Sequence, residues 1–214
     1  AMEMLNSTIQ AQLEASGTMN DLEVKNLDIT YNNTKIFGKA NLTDLLDSEK
    51  MSFDVSLNDS YLDPSDPNKL LAEIELPEYK ELGMVKFDTL SYKGGPTNFN
   101  AKFALRTDKG ILSGDAKLDL RPADMMYDVT LNTSKLDLES FTSIPTNLNS
   151  KIKISGEGFD PNNMKMDLVL DAGSSSIGDK FLNNLKIKAQ AKDGLMISSI
   201  YFSGDSTSAL INAD

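Results

Sequence analysis

The chain has 214 residues, of which 40% are apolar and only 7% aromatic, a composition that predicts a thin buried layer rather than an aromatic-rich core. It contains no histidine and no cysteine, which excludes serine–histidine and cysteine–histidine catalysis, disulfides and cysteine-ligated zinc. Its 21 basic and 32 acidic residues give a formal charge of -11, which disfavours binding to nucleic-acid phosphates and to anionic lipid head groups.

Alternation of apolar and polar residues is the main pattern along the chain, and it predicts β-strands with one apolar and one polar face. The alternating rows fall, in chain order, at residues 9–15, 51–57, 99–105, 116–120, 127–131, 152–154, 164–170 and 185–191. Between them lie YNNTK, RTDKG, DPNN and AKDG, whose Asn, Asp and Gly residues tolerate the positive φ of tight hairpin turns. We therefore predict a meander of antiparallel strands, with one hairpin turning at Asp193-Gly194.

Helical signals are few. The stretch NLTDLLDSEK is compatible with one or two helical turns after Leu42. A short helical insertion is predicted at about residues 64–76, because Asp66 can cap its N-terminus and Pro67 suits the first helical position. This helix should end before Pro77, which cannot continue it.

Paired glycines indicate an internal repeat. Each repeat has a glycine, a polar turn, an alternating strand, a second turn and a second glycine about 20 residues after the first. The pairs are Gly17 with Gly38, Gly94 with Gly114, and Gly156 with Gly178. A hairpin repeated at constant spacing predicts a sheet that grows in one dimension, with a bend or bulge at each glycine.

Candidate chemical sites have simpler structural interpretations. Asp59, Asp63, Asp66 and Asn68 lack the central glycine and closing glutamate of a calcium loop, so we interpret them as a capping turn. GEGFDP has Pro161 where a dinucleotide-binding motif needs its third glycine. The remaining carboxylates lie mostly on the polar phase of strands, so the sequence predicts no enzyme, no cofactor and no metal site.

The order of the strand and turn motifs resembles a known family. SKLDLESF is followed by LNSKIKISGEGFDPNNMKMDLVLDAGSSSIGDKFLNNLKIKAQAKDGLMISSIYFSGD, which is similar to the repeats of the TamB/AsmA-like proteins of diderm bacteria. Upstream, LDITYNNTKIFGKANLTDLLDSEKMSFDVSL, LPEYKELGMVKFD and FNAKFALRTDKGILSGDAKLDL follow the same order. The resemblance covers nearly the whole chain and rests on motif order and spacing.

This resemblance implies a fold, a location and partners. The fold would be all-β, a long antiparallel meander curled lengthwise into a β-taco-like trough with one or two short helices. Residues 1–214 would form a single continuous segment of a larger periplasmic protein, with Ala1 and Met2 as remnants of expression. The full-length protein would be anchored in the inner membrane, carry phospholipid acyl chains toward the outer membrane and work with a BamA-type barrel in outer-membrane biogenesis.

The alternation itself agrees with an apolar groove, because every second side chain of a strand points to the same face. The lipid-groove candidates are Phe53, Val55, Leu57, Phe99, Phe103, Leu105, Leu118, Leu120, Val129, Leu131, Met164, Met166, Leu168, Leu170, Leu185 and Ile187. Two alternatives stay open: a closed sandwich or barrel in which these rows are only core, and a non-lipid scaffold or adhesin module of stacked hairpins. An open sheet also predicts edge-to-edge self-association near Ile9 and Leu210.

Overall fold

The fold is one open antiparallel sheet. The computed structural model describes residues 9–66, 80–121, 125–160, 162–192, 194–204 and 208–213. Within these ranges the chain forms a single 13-stranded sheet in which each strand lies beside the next one in sequence. The predicted all-β meander is confirmed, and the sheet is not closed into a barrel, so the barrel alternative is wrong.

The strands are long and follow one another closely. Their bounds are β1 Ile9–Thr18, β2 Asp21–Tyr31, β3 Thr34–Thr43, β4 Ser52–Leu62, β5 Val85–Gly94, β6 Asn98–Thr107, β7 Gly110–Asp119, β8 Met126–Leu136, β9 Thr146–Glu157, β10 Lys165–Ile177, β11 Lys180–Lys192, β12 Leu195–Gly204 and β13 Ser208–Ala213. In the described ranges, short helical segments between strands include a 3-10 turn at Lys80–Leu82 and a helix α1 at Glu139–Thr142.

The chain divides into two compact units. Unit 1 comprises Ala1–Pro96 and Ala101–Lys109, and unit 2 comprises Thr97–Asn100 and Gly110–Asp214.

The predicted hairpin turns lie where the sequence placed them. Tyr31 pairs with Thr34 across a two-residue loop that begins with Asn32, whose φ is 49°. Lys192 pairs with Leu195, so β11 and β12 form the predicted hairpin around residues 193–194. Asn and Gly are favoured in such loops because they tolerate positive φ.

The helix predictions have mixed outcomes. NLTDLLDSEK forms turns instead of a helix: the backbone N–H groups of Lys50 and Met51 both donate to the Asp47 carbonyl, and no helix is assigned between β3 and β4. Most of the predicted insertion at 64–76 lies outside the described residues, since 67–79 are not described. The helix α1 was not predicted; its N-cap residue, Leu138, offers no side-chain cap, and the Asp137 carboxylate accepts the Glu139 N–H at 3.0 Å.

Two bulges share one construction, with one in each unit. Asp59 in β4 and Ser174 in β10 have φ values of 46° and 51°, and each is followed by a fully buried serine. Ser60 Oγ accepts the Phe37 N–H at 2.9 Å, and Ser175 Oγ accepts the Asn149 N–H at 2.9 Å. Each hydroxyl also donates to the carbonyl of the residue whose N–H it accepts, at 3.1 Å for Ser60 and 3.4 Å for Ser175. The serine hydroxyl thus replaces the ladder hydrogen bonds that the bulge removes.

Gly156, one of the glycines predicted to mark a bend or a bulge, has no bulge. This residue pairs with Tyr127 on one side and Met166 on the other, and the register runs through it without a shift. Glycine is required there for another reason, because a Cβ at this position would collide with the Lys165 carbonyl and with the Tyr127 ring that lies over it.

Candidate functional site

One face of the sheet in unit 2 is apolar across consecutive strands. The pairing registers align the apolar positions of β7 to β13 in rows. The central row contains Gly114, Leu131, Ile152, Leu170, Ile187, Ile200 and Ile211. The rows on either side contain Ala116, Val129, Ile154, Leu168 and Ala189, and Ala172, Leu185, Phe202 and Ala209. A further row contains Leu118, Tyr127, Gly156, Met166, Ala191 and Met196. We call these rows together the unit 2 apolar face.

The opposite face of β9 to β11 is polar, as strand alternation requires. Lys186 lies 3.6 Å from the Asp171 carboxylate, and Lys165 donates to Glu157 at 2.7 Å. All four side chains are more than half exposed, so these pairs add little stability. These charged side chains keep this face of the three strands hydrated.

Unit 1 has an apolar face built in the same way over β1 to β5. Its register rows are Ala15, Val24, Ala40, Val55 and Tyr92; Leu13, Leu27, Gly38, Leu57 and Leu90; and Gly17, Leu22, Leu42, Phe53 and Gly94. We call these rows the unit 1 apolar face. The predicted candidates of β4 all belong to it.

The other lipid-groove candidates can be assigned to a sheet face or a strand end from the strands in which they lie. Leu118, Val129, Leu131, Met166, Leu168, Leu170, Leu185 and Ile187 belong to the unit 2 apolar face. In β6 the pleat puts Phe99, Phe103 and Leu105 on one face, and their burial exceeds that of Asn98, Lys102 and Arg106 on the other. Leu120 and Met164 lie just beyond the ends of β7 and β10, where their N–H groups donate to the Thr97 and Asp160 carbonyls.

Burial shows that the apolar faces are not a closed core. Among the described residues the buried apolar side chains are only alanines, valines and tyrosines, and no Leu, Ile, Met or Phe is buried. The largest fully buried side chains are Asp66, Ser60 and Ser175. In a packed sandwich Leu, Ile and Phe would head that list, because they are the residues most often removed from water. The large aliphatic side chains of both faces therefore keep part of their surface accessible.

Aromatic rings lie at one border of each apolar face. Tyr127 stacks on Phe159 with centroids 5.2 Å apart and an interplanar angle of 17°. Phe53 and Tyr92 have centroids 6.4 Å apart, and the Tyr92 hydroxyl donates to the Gly95 carbonyl at 2.6 Å. Burial raises the pKa of both tyrosines, so their hydroxyls stay neutral and the border carries no phenolate charge at ordinary pH.

The acidic cluster is hydrogen-bonded within the fold. The buried Asp66 carboxylate accepts Asn32 Nδ2 at 3.0 Å and Thr34 Oγ1 at 2.9 Å, and Thr34 Oγ1 in turn accepts the Asp63 N–H at 3.1 Å. Asp59 lies instead beside Lys86, at 3.4 Å. Across the described ranges no three acidic side chains converge on a position that could hold a metal ion.

An ion pair joins β5 to β6 in unit 1. Arg106 Nε and one terminal nitrogen donate to the two Asp88 oxygens at 2.7 and 2.5 Å. The hydrogen bond from Arg106 holds the pKa of Asp88 below its usual value. Both side chains reach solvent, so the pair fixes local geometry and contributes little to stability.

The described part of unit 2 includes three shallow cavities that open mainly on the face opposite the unit 2 apolar face. Their volumes are about 470, 810 and 500 Å³. Asp167 and Gln190 line the first two, and Lys117 and Asp128 line the third. By register these side chains belong to the opposite face. No sequence pattern predicted these cavities.

The geometry defines an open all-β meander with half-exposed apolar sheet faces. No family model, curated protein or solved structure matches the chain. In the described ranges no helix is long and apolar enough to cross a membrane.

Proposed function

We propose that this chain shields phospholipid acyl chains in an apolar groove, as a periplasmic segment of a TamB/AsmA-like bridge protein that serves lipid transport between the inner and outer membranes. The observation that carries the proposal is the burial pattern: rows of Leu, Ile, Val and Met run over neighbouring strands in register, yet none of their Leu, Ile or Met side chains is buried. A continuous apolar surface left accessible to solvent is typical of a binding surface.

The energetic argument concerns hydrocarbon in water. Each exposed methylene costs about 0.8 kcal/mol, so a sixteen-carbon tail that crosses water costs on the order of 12 kcal/mol. An apolar face that covers the tail removes most of that cost. The transfer needs no nucleophile, acid or base, which agrees with a sequence that lacks histidine and cysteine.

We further propose that the sheet curls lengthwise into the β-taco-like trough that the family resemblance implies. Bulges support this, because they bend a strand and increase its local twist. The bulges at Ser60 and Ser175 lie in β4 and β10, where they would introduce such bends. The inner-membrane anchor, the BamA-type barrel partner and the role in outer-membrane biogenesis rest on the resemblance alone.

The proposal is tested with delipidated protein. We expect it to take up a fluorescent fatty acid, which should show a blue-shifted emission and be displaced by added phospholipid. We also expect native mass spectrometry to find phospholipid on protein purified without delipidation. Absence of both signals in folded protein would favour the non-lipid scaffold or adhesin module of stacked hairpins.

We also propose that β1 and β13, the outer strands of the sheet in the described ranges, pair with a second copy of the chain. Natural edge strands are protected by lysine, proline or short length, and β1 has ten residues and neither lysine nor proline. Ile9, Leu13 and Leu210 are each more than half exposed. We expect light scattering to show association that grows with concentration and weakens in Leu13→Lys. A monomer at all concentrations would contradict edge pairing.

A further inference from the structure

The sheet face opposite the unit 2 apolar face is polar on β9 to β11 but carries apolar side chains on β12 and β13. Strand alternation should make it polar, yet it carries Leu195, Ile197, Tyr201 and Leu210, which are 57%, 49%, 39% and 65% exposed. The neighbouring β11 contributes Lys188 and Lys192 to the same face. We call these six residues the basic-apolar surface.

The lysines of this surface lie next to its apolar side chains. Lys192 pairs with Leu195, and Ile197 pairs with Gln190, which stands between Lys188 and Lys192 on β11. Tyr201 pairs with Leu210 on the far side. Among the described residues neither Lys188 nor Lys192 forms an ion pair, whereas Lys186 on the same strand lies near Asp171.

Two of the shallow cavities open on this surface. The larger one, of about 810 Å³, is lined by Lys165, Lys192, Leu195 and Ile197 together with Asp167, Gln190, Met166 and Ala191. The smaller one, of about 470 Å³, is lined in part by Lys188 and Ile197. The acid present in both, Asp167, accepts a hydrogen bond from Gln190 Nε2 at 2.5 Å, so its charge is partly satisfied within the sheet.

We propose that the basic-apolar surface docks on a bilayer that contains anionic phospholipid, with the apolar side chains in the head-group region and the lysines on phosphates. A surface with apolar side chains bordered by lysines is the chemistry that binds such an interface. Leu195 and Ile197 are exposed on this face of the hairpin, and Met196 is exposed on the other face. A bilayer has no fixed shape, so it can cover exposed apolar side chains on both faces of the hairpin.

The net charge of -11 opposes this docking only where the acids lie close to the surface, because electrostatic interactions between exposed charges are short-ranged in salt. The Debye length at physiological salt is about 8 Å, so acids on distant strands are screened. On β10 and β11, the part of this face nearest the basic-apolar surface, the lysines are Lys165, Lys186, Lys188 and Lys192, against Asp167 and Asp171. The face is therefore locally basic within an acidic protein.

The test uses the full chain and sedimentation with vesicles of phosphatidylcholine, alone or mixed with phosphatidylglycerol. We expect binding to the anionic vesicles only, with affinity that falls as salt rises. Lys188→Glu with Lys192→Glu should weaken binding at least tenfold, because each lysine near an anionic surface contributes about fivefold. Leu195→Ser with Ile197→Ser should weaken it as well.

The control is Lys35→Glu with Lys39→Glu, which changes the net charge equally on exposed positions of β3 in unit 1. Equal weakening by this control, or no binding of the unchanged protein to anionic vesicles, would overturn the proposal. Fatty-acid uptake should be unaffected by Lys188→Glu with Lys192→Glu, because these lysines lie on the opposite face. Failure of docking is thus distinguishable from failure of acyl-chain binding.

Discussion

Leu168→Asp should reduce the affinity for a fluorescent fatty acid by at least tenfold while leaving the fold intact. Leu168 lies inside the unit 2 apolar face, between Ile154 and Ala189. A carboxylate at this position loses the apolar contact with three or four methylenes of a bound tail, which lowers the favourable binding free energy by about 2–3 kcal/mol. Because Leu168 is only half-buried, its charged replacement can reach water and the sheet should survive.

The matched control for this substitution is the next residue of the same strand. Val169→Asp introduces the same charge in β10, but Val169 is 43% exposed on the opposite face. We expect it to bind fatty acid like the unchanged protein. Fluorescence titration measures the fatty-acid affinity of both variants, and circular dichroism checks that the sheet is intact. Equal affinities of the two variants would show that fatty acid does not bind to the unit 2 apolar face.

Phe103→Asp in β6 extends the same comparison to unit 1.

Gly114→Ala should destabilise the protein by about 1–3 kcal/mol, as expected for a group forced into a close contact. In an ordinary strand the same change should stabilise by about 0.5–1 kcal/mol, because glycine loses more backbone freedom on folding. Gly114 differs because an added Cβ would overlap the Thr130 carbonyl of the neighbouring strand. The free energy of unfolding in urea measures the effect.

Gly173→Ala provides the comparison for this prediction. A Cβ at Gly173 would meet its nearest neighbour, the Asn183 carbonyl oxygen, at 3.5 Å, which is an ordinary contact. This variant should be neutral or slightly more stable. If both variants shift stability in the same direction, the close approach at Gly114 does not decide the outcome.

The sequence predicted complete apolar rows best for the strands that keep strict alternation. β10 alternates without interruption up to Ala172, and its row was recognised. β2 was predicted only as the strand between Gly17 and Gly38, without a row, because its register shifts between Val24 and Leu27 and its apolar residues change from even to odd positions. A bulge interrupts the period-two alternation, so the pattern on one side does not predict the pattern on the other. The bulges at Asp59 and Ser174 have no clear sequence signal.

The candidate site was predictable in its residues but not in its pairing. Alternation identified Leu131, Leu170 and Ile187, yet only the register shows that they share one row with Ile152 and Ile200. Pairing depends on turn geometry and bulges far along the chain, so it cannot be derived one strand at a time. The basic-apolar surface was missed for a related reason, since β12 has apolar residues on both faces and lacks a simple period.

In the proposed groove, acyl chains lie against the unit 2 apolar face and not against the opposite one. Because the chain has no cysteine, a single cysteine can be labelled with a polarity-sensitive fluorophore at Leu170 in one variant and at Val169 in another. A brominated fatty acid should quench the label at position 170 and spare the label at position 169. Equal quenching at both positions, or quenching at neither, would contradict the proposed groove.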